Sequence, residues 1–119
     1  MIRTLPRFIA SFDKRFPELR TPHGANSMCC WAVARFCAEV PGARQAHLWG
    51  SRRHFPNRID NYPAKDPDYY HAVVVLHGLA IDWTRRQLDP RAAHPFIQPA
   101  AELRHDWIRI GPFPEYLGL

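Results

Sequence analysis

Tyr70–Gln87, YHAVVVLHGLAIDWTRRQ, decides the fold. His71 to Leu76 is almost wholly apolar and rich in valine, a composition that favours a strand. Gly78 permits a reversal after it. Leu79 to Thr84 is apolar again, with one acid inside it, Asp82. A carboxylate buried in a strand is costly unless it is paired. With His77–Gly78 as a two-residue loop, Leu76 faces Leu79, Val73 faces Asp82 and His71 faces Thr84. His71 and Asp82 then project from one face as diagonal neighbours, about 7 Å apart at Cβ, within reach of an imidazole–carboxylate hydrogen bond. A four-residue loop keeps this parity. A three-residue loop with a bulge would put the two side chains on opposite faces.

The chain of 119 residues is long enough for one domain with a modest core. Its 46% apolar and 13% aromatic content argues against disorder. The formal charge is +5, and every basic residue except Lys14 and Lys65 is an arginine. The arginines are scattered, with no basic run of the kind that marks a nucleic-acid arm, so nucleic acid is not an expected partner. A basic surface favours an acidic one.

The cysteine count is odd. Cys29 and Cys30 are neighbours, and Cys30 and Cys37 lie about 10 Å apart along a helix axis, too far to bridge. Reduced thiols and a reducing compartment are expected. Pro6, Pro17 and charges occupy the N-terminal stretch in place of an apolar signal core, and no stretch approaches a membrane span. The expected location is cytoplasmic, with delivery by a dedicated secretion system as the alternative.

Thr4–Phe16 carries Leu5, Phe8, Ile9, Phe12 and Phe16 at helical spacing. Glu18–Ser27 reads as a loop, and Asn26 or Ser27 as the cap of a second helix from Met28 to about Glu39. Ala43–Trp49 reads as a strand and Ser51–Tyr69 as a long surface loop. Leu88–Pro99 is expected to be irregular and Trp107–Ile110 to be a last strand. The predicted class is α+β, with N-terminal helices packed on a small antiparallel sheet.

Cys29 and Cys30 fall in the first turn of the second helix, where unpaired N–H groups and the macrodipole favour a thiolate. A histidine that takes the thiol proton and a carboxylate that orients the histidine complete a nucleophilic unit. The chain offers the three in the order Cys, His, Asp, with no cofactor required. The imidazole is expected to point at the start of the Met28–Glu39 helix. Each part also has an ordinary reading: free cysteines pack as small hydrophobes, a lone histidine is commonly structural, and Asp82 could pair with Arg85 or Arg86.

Cys30-Trp31-Ala32-Val33-Ala34, His71-Ala72-Val73 and Ile81-Asp82 resemble the papain-like cysteine hydrolase superfamily in its compact bacterial forms, and Ile81 to Gln87, as Ile-Asp-x-Thr-x-x-Gln, also resembles a strand of small uncharacterised bacterial and phage proteins. The Cys–Trp at a helix start and the His–Ala–Val on a strand resemble papain itself, and the tight His-strand, turn, Asp-strand unit is more similar to transglutaminase-like and toxin-type deamidase members. The resemblance covers about Asn26 to Gln87. It implies a papain-like or transglutaminase-like fold across residues 1–119 and a thioester acyl-enzyme acting on an amide or ester. Carried residue by residue, it makes Cys30 the nucleophile, His71 the base and Asp82 its orienting group. Papain-type proteases have a glutamine just before the cysteine as oxyanion donor. Here Asn26 is the nearest amide and would share that task with the Cys30 N–H. Trp83 and Gln87 are candidates for the wall of the site, with Trp83 equally readable as a core anchor, and Cys37 is assigned to the core.

The expected activity is modification of a protein side-chain amide, glutamine deamidation first, in the manner of a toxin or effector. A cognate inhibitor or immunity protein is a further expected partner. The alternatives are a cysteine protease of the same fold and a non-catalytic protein-binding domain. A Cys-x5-Arg phosphate loop from Cys29 to Arg35 is disfavoured because the interval reads as continuous helix, and no Cys-x-x-Cys or His-x3-His spacing supports zinc. If the nucleophilic reading holds, Cys30 reacts with iodoacetamide near neutral pH far faster than Cys37, as peptide mapping will show. Equal, slow labelling of all three cysteines would favour an inert binding domain.

Overall fold

A computed structural model describes residues 5–51, 54–59 and 68–111. The elements run α1 (Leu5–Arg15), a 3-10 turn (Pro17–Arg20), α2 (Pro22–Ala25), α3 (Cys29–Glu39), β1 (Arg44–Ser51), β2 (Asp68–Leu76), β3 (Leu79–Asp82), α4 (Arg85–Leu88), β4 (Phe96–Pro99), a 3-10 segment (Ala100–His105) and β5 (Arg109–Gly111). The five strands form one sheet in the order β4-β3-β2-β1-β5, every neighbouring pair antiparallel. The α+β class is as the sequence predicts.

The hairpin forms in the expected register, with Leu76 opposite Leu79 and Val74 opposite Ile81. His77 and Gly78 both take positive φ, 51° and 77°, as a type I′ turn requires. This fixes the parity of everything on β2 and β3.

The pleat divides the core in two. Ala72, Val74, Leu76, Ile81 and Trp83 face the helices and pack with Phe12 of α1 and Ala32, Val33 and Phe36 of α3. Ala46, Leu48, Tyr69, Val73 and Ala80 face the other way, onto Phe55, Leu88, Leu103 and Trp107. Gly50 sits where β1 passes under Trp107. A Cβ there would lie 2.7 Å from Trp107 Cε3.

Three expectations are corrected. The stretch read as loop over Glu18–Ser27 contains a 3-10 turn and the short helix α2, started by Thr21, whose hydroxyl accepts from Gly24 N at 3.0 Å. Neither Asn26 nor Ser27 caps α3: Ser27 is left-handed at φ 64°, and Met28 is the cap residue, with no side-chain hydrogen bond. Leu88–Pro99 ends in β4, an edge strand hidden from pattern reading by its shortness and by Pro95 and Pro99 at its ends. Of the loop predicted over Ser51–Tyr69, residues 52–53 and 60–67 lie outside the described residues. Within it, β2 already begins at Asp68.

Gly50→Ala therefore forces Trp107 to move and is expected to cost about 1–3 kcal/mol, read as a lowered urea midpoint. A stability equal to that of the parent protein would show that Trp107 is not clamped there.

Candidate functional site

The His71–Asp82 pair forms as the pleat requires. His71 Nε2 lies 2.8 Å from Asp82 Oδ2, and both side chains are buried, at 0% and 2% exposure. The Thr84 amide donates to Asp82 Oδ1 at 3.0 Å. Facing a carboxylate, Nε2 carries the proton of the neutral ring, which leaves Nδ1 as the lone-pair nitrogen. That Nδ1 is buried and has no hydrogen-bond partner. The ring is held flat against Trp107, with centroids 5.4 Å apart and planes 9° from parallel.

Arg85 stands beside the pair. It donates to Asp106 Oδ2 at 3.1 Å, lies over Phe55 and Phe96, and comes no nearer than 4.0 Å to Asp82. Arg86 turns away, donating to the carbonyls of Arg20 and Ala92. Asp82 is thus closest to the imidazole, and the arginine pairing of the inert reading is at most a secondary contact.

The thiols approach from the helix side. β3 stops at Asp82, so β2 has no strand partner beyond Val73 on that edge. In a two-residue hairpin the residues flanking the turn form a hydrogen-bonded pair, so alternate residues Leu76, Val74 and Ala72 point their N–H groups toward β3. At Ala72 that N–H meets the Cys29 thiol instead. The first turn of α3 thus takes the place of the missing stretch of strand.

The two neighbouring thiols differ sharply. Cys29 is pushed well above its usual range by its hydrogen bond to Cys30, by burial and by the charge of Asp82. Cys30 is exposed and pulled down to about 6, first by the hydrogen bond from Cys29, then by that from Tyr70 and by the charge of His71, against the opposing effect of burial. Of the two, Cys30 carries the anion. Cys37 is half-buried against the helix-side core, and burial raises its pKa.

One expectation about direction is corrected. By the register His71 is opposite Leu48, and Asp82 shares the face of Ala80 and Val73. Their face is the one α3 does not cover. No hydrogen bond joins His71 Nδ1 to either thiol.

Asn26 and Gln87 are brought together, Gln87 Nε2 donating to Asn26 Oδ1 at 2.9 Å. This fixes the Asn26 amide just ahead of α3. Trp83 belongs to the core, with its ring 4.5 Å from Phe12 and 5.6 Å from Phe36. Sequence reasoning missed two neighbours of the thiol. Tyr70 Oη lies 3.4 Å from Cys30 Sγ and 2.5 Å from His47 Nδ1. The alternation of Ala43–Trp49 sets His47 on the face opposite Ala46 and Leu48, and the register with Ala72 makes that the helix-side face.

Among the described residues no group of three or more His, Cys, Asp or Glu is arranged to hold a metal ion, and no helix is long and apolar enough to cross a membrane. A cavity of about 270 Å³ lined by His54, Phe55, Arg85 and Asp106 opens on the Trp107 side, away from the thiols. No family model, curated protein or solved structure matches this chain.

The rate of Cys30 alkylation against pH should have its midpoint near 6, with the thiolate lost below it. Cys29→Ala should move that midpoint up, because the strongest single hydrogen bond to the anion is gone. A midpoint left in place would mean that Cys29 does not hold the charge.

Proposed function

We propose that this chain is a cysteine-dependent acyl-transfer hydrolase. Cys30 is its nucleophile, His71 its general base and acid, and Asp82 the group that fixes the His71 tautomer. The observation that carries the reading is a buried imidazole–carboxylate pair whose second ring nitrogen has no partner, on a strand whose other face meets two thiols at the start of α3. Nδ1 is desolvated at a cost, which is relieved while the ring holds a proton there and before it passes that proton to the leaving nitrogen.

In the proposed reaction the Cys30 thiolate attacks an amide carbonyl. The C–N bond breaks as the nitrogen takes a proton, and water hydrolyses the thioester. The first-turn amides of α3, free of a side-chain cap, and the Asn26 amide held by Gln87 are the candidate donors to the oxyanion. Because Cys30 is exposed at the surface, the substrate class we propose is the side-chain amide of a glutamine on a folded protein. Proteolysis by the same residues comes second. The papain-like or transglutaminase-like relationship is part of this proposal, as are a soluble cytoplasmic or secreted setting and an immunity-type partner.

A non-catalytic reading has one observation in its favour: His71 is wholly buried and stacked on Trp107, as a structural histidine would be. Mutation separates the two readings. If the residues act as a unit, Cys30→Ala and His71→Ala each lower turnover by about 1,000-fold or more, and the double variant is no worse than either. The assay is mass mapping of glutamine-to-glutamate conversion in proteins exposed to each variant. Asp82→Asn should keep the fold and lose much of the turnover, since an amide oxygen can still accept from the Thr84 N–H but holds the His71 ring less well and cannot stabilise the imidazolium. Turnover undiminished in folded Asp82→Asn and His71→Ala variants would favour the structural reading.

A further inference from the structure

Cys30, Tyr70 and His47 come from three different elements and meet in line. Cys30 opens α3, Tyr70 lies on β2 and His47 on β1. His47 is opposite Ala72 and Trp49 opposite Tyr70, so His47 and Tyr70 are diagonal neighbours on the helix-side face. Their rings stack, with centroids 5.8 Å apart and planes 24° from parallel. The Cys30 thiol donates to Tyr70 Oη at 3.4 Å, and at 2.5 Å the Tyr70 hydroxyl can donate to His47 Nδ1. This is a continuous donor–acceptor chain from the sulfur to an imidazole. His71, by contrast, has no hydrogen bond to either thiol.

Resting on the reading of Cys30 as a nucleophile, we propose that Tyr70 and His47 form the path by which Cys30 loses and regains its proton in the free protein. The S–H bond breaks and leaves its electron pair on sulfur as a new O–H bond forms on Tyr70. The original Tyr70 O–H bond breaks as Nδ1–H forms on His47. The result is a thiolate, a neutral tyrosine and an imidazolium, and the reverse transfer restores the thiol. Tyr70, which touches the reacting sulfur, is a catalytic residue. His47, acting through it, is a positioning residue that holds the proton at the far end.

The groups around this path are consistent with that flow. Cys29, beside the sulfur on α3, keeps its own proton and donates to Cys30. His71 on β2 favours the Cys30 thiolate when its ring is protonated, and Asp82 bears on Cys29. Burial holds His47 below its ordinary 6.5, so it is neutral and able to accept near pH 7. On β5, Arg109 lies opposite Trp49 on the same face, the charged residue of that strand nearest in register to His47.

Two measurements test the proposal. The first is the pH profile of Cys30 alkylation by iodoacetamide in the full chain. Tyr70→Phe should raise the midpoint by about one pH unit, which lowers the rate at pH 6 about fivefold. His47→Gln should do the same, and Tyr70→Phe with His47→Gln should equal either single change, as a series path requires. An unchanged profile in Tyr70→Phe, or additive shifts in the double variant, would overturn the path.

The second needs no substitution: His47 is titrated by NMR with Cys30 free and with Cys30 capped as a methyl disulfide. Capping removes the anion at the other end and should lower the His47 midpoint. Indifference of His47 to the cap overturns the proposal even if the variants fail to fold. Both readouts concern thiol chemistry and not turnover. A responsive His47 in a protein whose Cys30→Ala variant retains full deamidation would remove the hydrolase reading and leave the proton path standing.

Discussion

The termination of β3 at Asp82 governs the site. A strand running one or two residues further would pair with β2 at Ala72, and its backbone would fill the space the thiol uses. Because the chain turns into α4 at Arg85, one N–H on a central strand lacks a ladder partner. A buried, unpaired N–H costs about 1–3 kcal/mol. The start of α3 supplies the acceptor in the form of the Cys29 sulfur. A missing sheet contact thus docks the helix, and the docking brings two thiols close to an imidazole and a carboxylate on the other face.

Within that junction, one cysteine serves the other. Cys29 is held protonated by burial and by Asp82, and so it is a donor. Cys30, one residue on, projects outward and receives that hydrogen bond, with its sulfur 3.4 Å from Tyr70 Oη. The helix start adds the positive end of the α3 dipole, with no cap hydrogen bond from the Met28 side chain. The hydrogen bonds act on the same atom and in the same direction, against burial, and bring the thiol from its ordinary 9.0 down to about 6. Adjacent cysteines, which cannot bridge each other without strain, differ here because their side chains leave the helix 100° apart, into different surroundings.

Much of the fold was legible. The valine run, the His-Gly turn and the lone acid after it fixed the hairpin, its register and the imidazole–carboxylate pair, since a strand's side-chain period leaves little choice once the loop length is known. The amphipathic spacing of Leu5, Phe8, Phe12 and Phe16 gave α1 for the same reason. The start of α3 was harder to read. Asn26 and Ser27 are good caps by propensity, but Asn26 is engaged by Gln87, sixty-one residues away, and Ser27 takes a left-handed turn. Which sheet face meets the helix was also hidden. Parity says that His71 and Asp82 agree with each other, not which side they take. The burial of Trp107 against His71, and of Trp83 between the phenyl rings of Phe12 and Phe36, is long-range packing that no local pattern encodes. Tyr70 and His47 escaped notice because strand–strand register across a long connection cannot be read from either strand alone.

The hairpin turn also orders events in time. The imidazole and carboxylate are eleven residues apart in sequence, whereas Cys30 and Tyr70 are forty apart. Closing a short, turn-nucleated loop takes microseconds and little entropy, while the α3 contact must wait for a far longer loop to close. The half of the site that holds a proton is therefore assembled early on the folding path, and the half that carries the reactive sulfur arrives only with the docking of α3. Until then the sulfur lacks the partners that stabilise its anion and behaves as an ordinary thiol, so reactivity at Cys30 becomes a marker of completed folding.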